Sequence, residues 1–205
     1  MVLAGVLVTP WLNPFAPGPS PAVVPLLVSW ACVAIALLFH RHLRVDVVAG
    51  AWLIAAAVSA AIGHLQYLGI DGRFFPWINH AGIGQAFGNL RQRNQFASLL
   101  VIGLAALWWW IQAEAARPMS ASLSRQSTKR ILGLLVVAGL ASATAASASR
   151  TGLVAWLIVS LLAWRWSADG GRTYQRWMIG TGLTAFFLAS WFLPMTIGHD
   201  PLQHG

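Results

Sequence analysis

Two arginines separated by one glutamine, Arg91 and Arg93, close a glycine-rich stretch, GIGQAFGNLRQRNQ from Gly82 to Gln95, and lead straight into an apolar run opening at Asn94. A guanidinium presents its donors in a planar fork that can grip two phosphate oxygens at once. A helix start adds unpaired backbone N–H groups and the positive end of the dipole. Arg91 and Arg93 therefore form a candidate phosphate site, with Gln92, Asn94 and Gln95 as neutral donors beside them; the alternative is that the two arginines only anchor the helix end to lipid headgroups. Arg150 occupies a comparable place between two apolar runs, behind the small-residue tract AGLASATAASAS from Ala138 to Ser149. If a helix continues through Arg150, then Ser142, Ala146 and Arg150 share one face at four-residue spacing, and the arginine either points toward a neighbouring helix or snorkels to lipid headgroups.

The elements that must position these residues are set by composition. Of the 205 residues 58% are hydrophobic and only 9% charged, with a mean hydropathy of +0.66, which excludes a water-soluble domain of this length. The basic balance, net +8, does not indicate a nucleic-acid partner, because the positive residues are scattered over short loops and form no single face. A bilayer core about 30 Å thick asks for roughly 17 to 25 apolar residues per helix. Six segments meet or approach that length: Val23 to Phe39, Val45 to Ile62, Asn94 to Gln112, Ile131 to Ser149, Thr151 to Trp166 and Trp177 to Leu193. With an apolar N-terminal piece ending near Leu12, the expectation is an all-α, polytopic transmembrane helical bundle of about seven spans. Residues 1–205 then form one transmembrane domain surrounded by membrane lipids.

Loop charge orients the stack, because short loops rich in Lys and Arg stay cytoplasmic. Nine of the thirteen basic residues fall on one side: Arg41 and Arg44; Arg117, Arg125, Lys129 and Arg130 in the cytoplasmic loop 113–130; and Arg165, Arg172 and Arg176. Arg73, Arg91, Arg93 and Arg150 are left on the opposite face, with the loop 64–93, the turn at Arg150 and the tail 194–205. A position disfavoured for positive charge is one that function has to explain.

Other patterns exclude more than they assign. Gly82, Gly84 and Gly88 lack dinucleotide-loop spacing and follow no strand, so they read as turn glycines. His40 and His42 share no helix face and have no further ligand, so no metal and no cofactor is expected. Cys32 is alone and can form no intrachain disulfide. His64, Gln66, Tyr67 and Asp71 leave the third span on the arginine side and could either line a cavity or cap the helix. Asp46, Glu114, Asp169, Asp71 and Asp200 all sit at span ends, which argues against an ion-coupled transporter or flippase.

The segments GNLRQRNQFASLL, Gly88 to Leu100, and SASRTGL, Ser147 to Leu153, resemble the paired signatures of bacterial O-antigen ligases and protein O-oligosaccharyltransferases. The NPF segment Asn13 to Phe15 is similar to the oligosaccharyltransferase branch. The resemblance implies a glycosyltransferase of the bacterial inner membrane that moves a glycan from undecaprenyl diphosphate to an acceptor hydroxyl, on protein or on lipid A core, at the periplasmic face. Arg91 or Arg93, together with Arg150, would hold the diphosphate. Relatives of this type carry ten or more spans and a large periplasmic loop with an essential histidine. The resemblance thus implies an N-terminal portion that includes the start of that loop, lacks the catalytic histidine and does not turn over alone. His199 and His204 match no family motif, so the catalytic residue stays unassigned. An O-antigen or capsule polymerase uses the same donor and is the nearest alternative; a non-catalytic assembly subunit is another.

Overall fold

The computed structural model describes residues 2–12, 23–90, 92–115, 123–165 and 172–198. Arg91, the segment Asn13 to Phe15, Arg117, His199 and His204 lie outside the described residues. Among those described there are seven α-helices and no strand: α1 (Val2–Leu12), α2 (Val23–Leu38), α3 (Val45–Tyr67), α4 (Arg93–Ala115), α5 (Leu123–Ala146), α6 (Arg150–Arg165) and α7 (Arg172–Thr196). The protein is an all-α membrane bundle. Within α3, α4, α5 and α7 lie stretches long and apolar enough to cross a bilayer. The other three fall below roughly 17 residues, as the short N-terminal piece and the segment after Arg150 already do in the sequence: α2 and α6 have 16 residues each and α1 has 11.

Small residues decide how the helices pack, since lipid offers no hydrophobic drive between them. A Cβ on Gly103 of α4 would overlap the Ala56 side chain of α3, and one on Gly182 of α7 would overlap the Trp156 ring of α6. The most extensive contacts pair α5 with α7 and α3 with α4; α1 covers α3, and α6 lies against α4. Phe96, Leu99, Leu100 and Leu104 of α4 are fully buried at the centre, against Val137 and Leu140 of α5. The outward faces of α6 and α7 are apolar, with Leu161, Phe187 and Phe192 exposed, as helices surrounded by acyl chains require.

The boundaries that matter for function differ from the sequence expectation. Helix α3 continues to Tyr67, so His64, Gln66 and Tyr67 are helical and the loop expected over 64–93 spans 68–92. The loop expected over 113–130 is shortened from both ends, by α4 reaching Ala115 and α5 starting at Leu123; α7 carries on through Pro194 to Thr196. The largest change is at Arg150. Helix α5 stops at Ala146, and Ala148 takes a left-handed φ of 50°. Ser147 Oγ donates to the Thr144 carbonyl at 2.6 Å and accepts from Ser149 N at 3.3 Å. These hydroxyl bonds compete with the helix ladder and end it. Arg150 is therefore the first residue of α6, and the shared face with Ser142 and Ala146 does not exist.

Candidate functional site

The approach to α4 is built on three buried amides. Gln66 Nε2 donates to the carbonyls of Asn79 and Gly88, both at 2.8 Å, and its Oε1 accepts from Phe87 N at 3.2 Å. Asn79 and Asn89 bond each other twice: Asn79 N donates to Asn89 Oδ1 at 3.0 Å, and Asn79 Nδ2 to the Asn89 carbonyl at 3.2 Å. Asn89 Nδ2 reaches back to the Trp77 carbonyl at 2.8 Å. Gly88, at φ +59°, lies so close to the Phe96 ring that an added Cβ would be 3.0 Å from it. In GNLRQRNQF, then, the glycine lets the loop pass over Phe96, and the first asparagine ties the loop together.

Gln92 stands at the N-cap of α4, its carbonyl accepting from Phe96 N at 3.0 Å, which makes Arg93 the first helical residue. Ser149 caps α6: its Oγ accepts from Gly152 N at 3.1 Å. The same hydroxyl donates to Asn94 Oδ1 at 3.0 Å. Thr151 Oγ1 lies 3.0 Å from Ser149 Oγ and 3.3 Å from Asn94 Oδ1 and completes a triangle. Close approach permits this joint, since a Cβ on Gly152 would be 2.6 Å from Ala97 Cβ. Two helix N-termini, each opening on an arginine, are thus fastened together by neutral groups.

Arg93 and Arg150 line the same cavity, of about 520 Å³. Tyr67, Gln85 and Ser190 add polar lining, while Leu153 of α6 and Phe186, Leu193 and Ile197 at the end of α7 and beyond it form an apolar wall. Neither guanidinium is paired with a carboxylate among the described residues. The ion pairs there are Arg44 with Asp46, His80 with Asp71, and Lys129 with Glu114. Guanidinium groups without a carboxylate partner, at two helix starts, are the kind of chemistry that suits an anion. The apolar wall beside them suits a ligand with both a charged and a greasy part.

Of the six residues the sequence assigns to the site, the structure brings Arg93 and Arg150 to one cavity. Asn94 lies between the two helix starts, yet its side chain accepts hydrogen bonds within the protein. Gln92 and Gln95 are exposed and do not line the cavity, and Arg91 is outside the described residues. Among the residues left open between cavity and cap, Tyr67 lines the cavity and Gln66 holds the loop. His64 donates through Nδ1 to the Ala60 carbonyl at 2.7 Å, and its Nε2 meets Ser142 Oγ of α5 at 3.0 Å. Asp71 Oδ2 accepts from His80 Nδ1 and from Ala81 N. Sequence reasoning missed Ser149, Thr151, Gln85 and Ser190. Ser149 had a readable signal, a serine directly before a helical run; Gln85 and Ser190 had none, being brought in by tertiary packing.

No curated protein and no solved structure matches the chain. Residues 86–111 match the protein glycosylation ligase family. That stretch contains Gly88, Asn89, Arg93 and Asn94, so the part of the chain that shapes the approach to α4 and supplies one of the two cavity arginines is the part similar to protein glycosylation ligases.

Proposed function

We propose that this chain holds an undecaprenyl diphosphate-linked glycan at the periplasmic face of a bacterial inner membrane, for transfer of the glycan to an acceptor hydroxyl. Arg93 and Arg150 bind the diphosphate, with Arg91 the third guanidinium that the sequence assigns there. The observation that carries this reading is the convergence of Arg93 and Arg150 on one cavity, with no carboxylate among the described residues to neutralise them. The similarity of residues 86–111 to protein glycosylation ligases supports the reaction class.

The chemistry follows from where charge moves. As the acceptor oxygen bonds to the sugar's anomeric carbon, the carbon–oxygen bond to the phosphate breaks and its electron pair leaves with the diphosphate, while the acceptor's hydroxyl proton passes to a base outside the described residues or to the released diphosphate. Cationic donors already in position stabilise that charge more than they stabilise the intact ester, which is how a fixed site lowers a barrier. The apolar wall receives the proximal part of the isoprenoid chain. The described residues are assigned carrier binding; activation of the acceptor hydroxyl is assigned to none of them.

The test is direct binding. The purified chain in phosphatidylethanolamine nanodiscs is titrated with undecaprenyl diphosphate and, as a control, undecaprenol. A hydrogen bond to a charged group contributes about 1.5–3 kcal/mol. Arg93→Ala and Arg150→Ala should each weaken diphosphate binding roughly 10- to 100-fold, leaving undecaprenol unaffected. Lysine at either position should recover only part of the loss, because it keeps the charge without the fork. Binding unchanged within about twofold in both alanine variants would refute the assignment.

A further inference from the structure

The loop between α3 and α4 has a rigid base and a bare apolar tip. At its base Ile78, Asn79 and Ala81 are buried, and the amides of Gln66, Asn79 and Asn89 fix the backbone. At its tip the turn from Phe74 to Trp77 is closed by Trp77 N bonding the Phe74 carbonyl at 2.8 Å. That turn carries three aromatic side chains, of which Phe75 is 62% and Trp77 59% exposed. Ile83, 65% exposed, packs over Gly69, next to the exposed Leu68 at the end of α3. Arg73 begins the aromatic run and is paired with no carboxylate among the described residues, since neighbouring Asp71 is buried against His80 and Ala81.

We infer that this aromatic turn is an interfacial foot, seated in the lipid headgroup layer and not in water. Two observations select lipid as the occupant. Exposed apolar side chains follow a membrane-spanning helix along the chain, from Leu68 through Phe74, Phe75 and Trp77 to Ile83, and the charge beside them is a cation suited to lipid phosphate. Aromatic residues with a basic neighbour are the composition that settles at a bilayer interface. A glycan platform would be expected to interleave polar donors with the rings, and Phe74, Phe75 and Pro76 are consecutive apolar residues. The foot has a consequence for the cavity. Trp77 is tied to Asn89, four residues before Arg93, so seating the turn in the headgroups sets the depth at which Arg93 meets an anionic headgroup.

Spin labelling tests this without any assumption about catalysis. In a Cys32→Ser background, single cysteines replace Phe75, Trp77, His80 and Leu161, and each labelled chain is reconstituted in phosphatidylethanolamine–phosphatidylglycerol vesicles. Collision rates with molecular oxygen and with a water-soluble nickel chelate are compared. The oxygen-to-nickel ratio should be highest at position 161, intermediate at 75 and 77, and lowest at 80. Arg73→Glu should lower the ratio at 75, more so as the phosphatidylglycerol fraction rises. A ratio at 75 and 77 equal to that at 80 places the turn in water and overturns the inference. Suppressed collision with both reagents, which means burial against a second copy, overturns it too, as does an oxygen preference that appears only when lipid-linked glycan is added.

Discussion

Asn94→Asp separates the architecture of the site from its charge. Asn94 Oδ1 accepts from Ser149 and lies within reach of Thr151, and no hydrogen bond donated by its amide nitrogen joins the two helices. A carboxylate can accept from both hydroxyls and, in the first turn of α4, is favoured by the helix dipole by about 0.3–1 kcal/mol. Stability in detergent should therefore hold or rise slightly. Asn94→Ala removes the acceptor instead. An interhelical hydrogen bond in a membrane protein averages about 0.6 kcal/mol, so two bonds predict a fall in Tm of roughly 2–5 °C. Ser149→Ala should fall somewhat further, because it also deletes a helix cap with a contribution of about 1 kcal/mol. Binding should rank differently. The carboxylate introduced by Asn94→Asp stands beside Arg93 and gives the guanidinium groups an internal partner that a diphosphate has to displace, weakening it by roughly 10- to 100-fold, or about 1.4–2.8 kcal/mol. Melting curves and the nanodisc titration on the same three variants decide the matter. If Asn94→Asp binds diphosphate as tightly as the native chain while keeping its Tm, the cationic cavity is not where the anion sits.

Three further outcomes follow from the same geometry. Gly152→Val should force α6 away from α4, lowering Tm by several degrees and weakening diphosphate binding; adding Ala97→Gly, which removes the methyl that the new side chain meets, should restore part of both. Gln66→Leu leaves the Asn79 and Gly88 carbonyls without their donor, at about 1–3 kcal/mol for each buried group left unsatisfied. Amide hydrogen exchange should then accelerate across residues 78–90 while the centre of α4 stays protected. Cysteines placed at Arg73 and Arg125 should react from opposite sides of the membrane with an impermeant maleimide, and equal labelling from outside would invert the orientation read from loop charge.

The helices were legible because a bilayer imposes length and apolarity, and both are visible along the chain. The start of α4 was readable to within one residue, since the polar run RQRNQ meets an apolar one there. The break before α6 was misplaced because small residues continue through it: apolarity carries no trace of Ser147 turning back on Thr144, and only the hydroxyl spacing reveals it. Arg93 and Arg150 were each singled out in the sequence one residue at a time, from the expectation that their loops lie on the side disfavoured for positive charge. That the two share a cavity could not be read, because it depends on Gly152 lying against Ala97, and nothing in the periodicity of either helix specifies its partner. Gln85 and Ser190 are harder still, being ordinary residues made relevant by two separate elements, whereas Tyr67 was open to either a cavity or a capping role.

A cationic joint is fastened here by an amide and two hydroxyls, for an electrostatic reason. Two helix N-termini repel each other through their dipoles, and an arginine on each adds to the repulsion. A carboxylate between them would be the stronger fastener, but it would also neutralise the guanidinium groups and occupy the place of an anionic ligand. Asn94, Ser149 and Thr151 supply directional bonds without net charge, so the helices are held without neutralising the guanidinium groups. The acidic residues among those described are consistent with that division: Asp46 pairs with Arg44, Glu114 with Lys129, Asp71 accepts from His80 Nδ1 and Ala81 N, and none of the three lines the cavity. A joint built only for stability would have no reason to leave its cations unpaired, and this combination of a neutral fastener with uncompensated charge is what supports the binding site proposed at the α4–α6 junction.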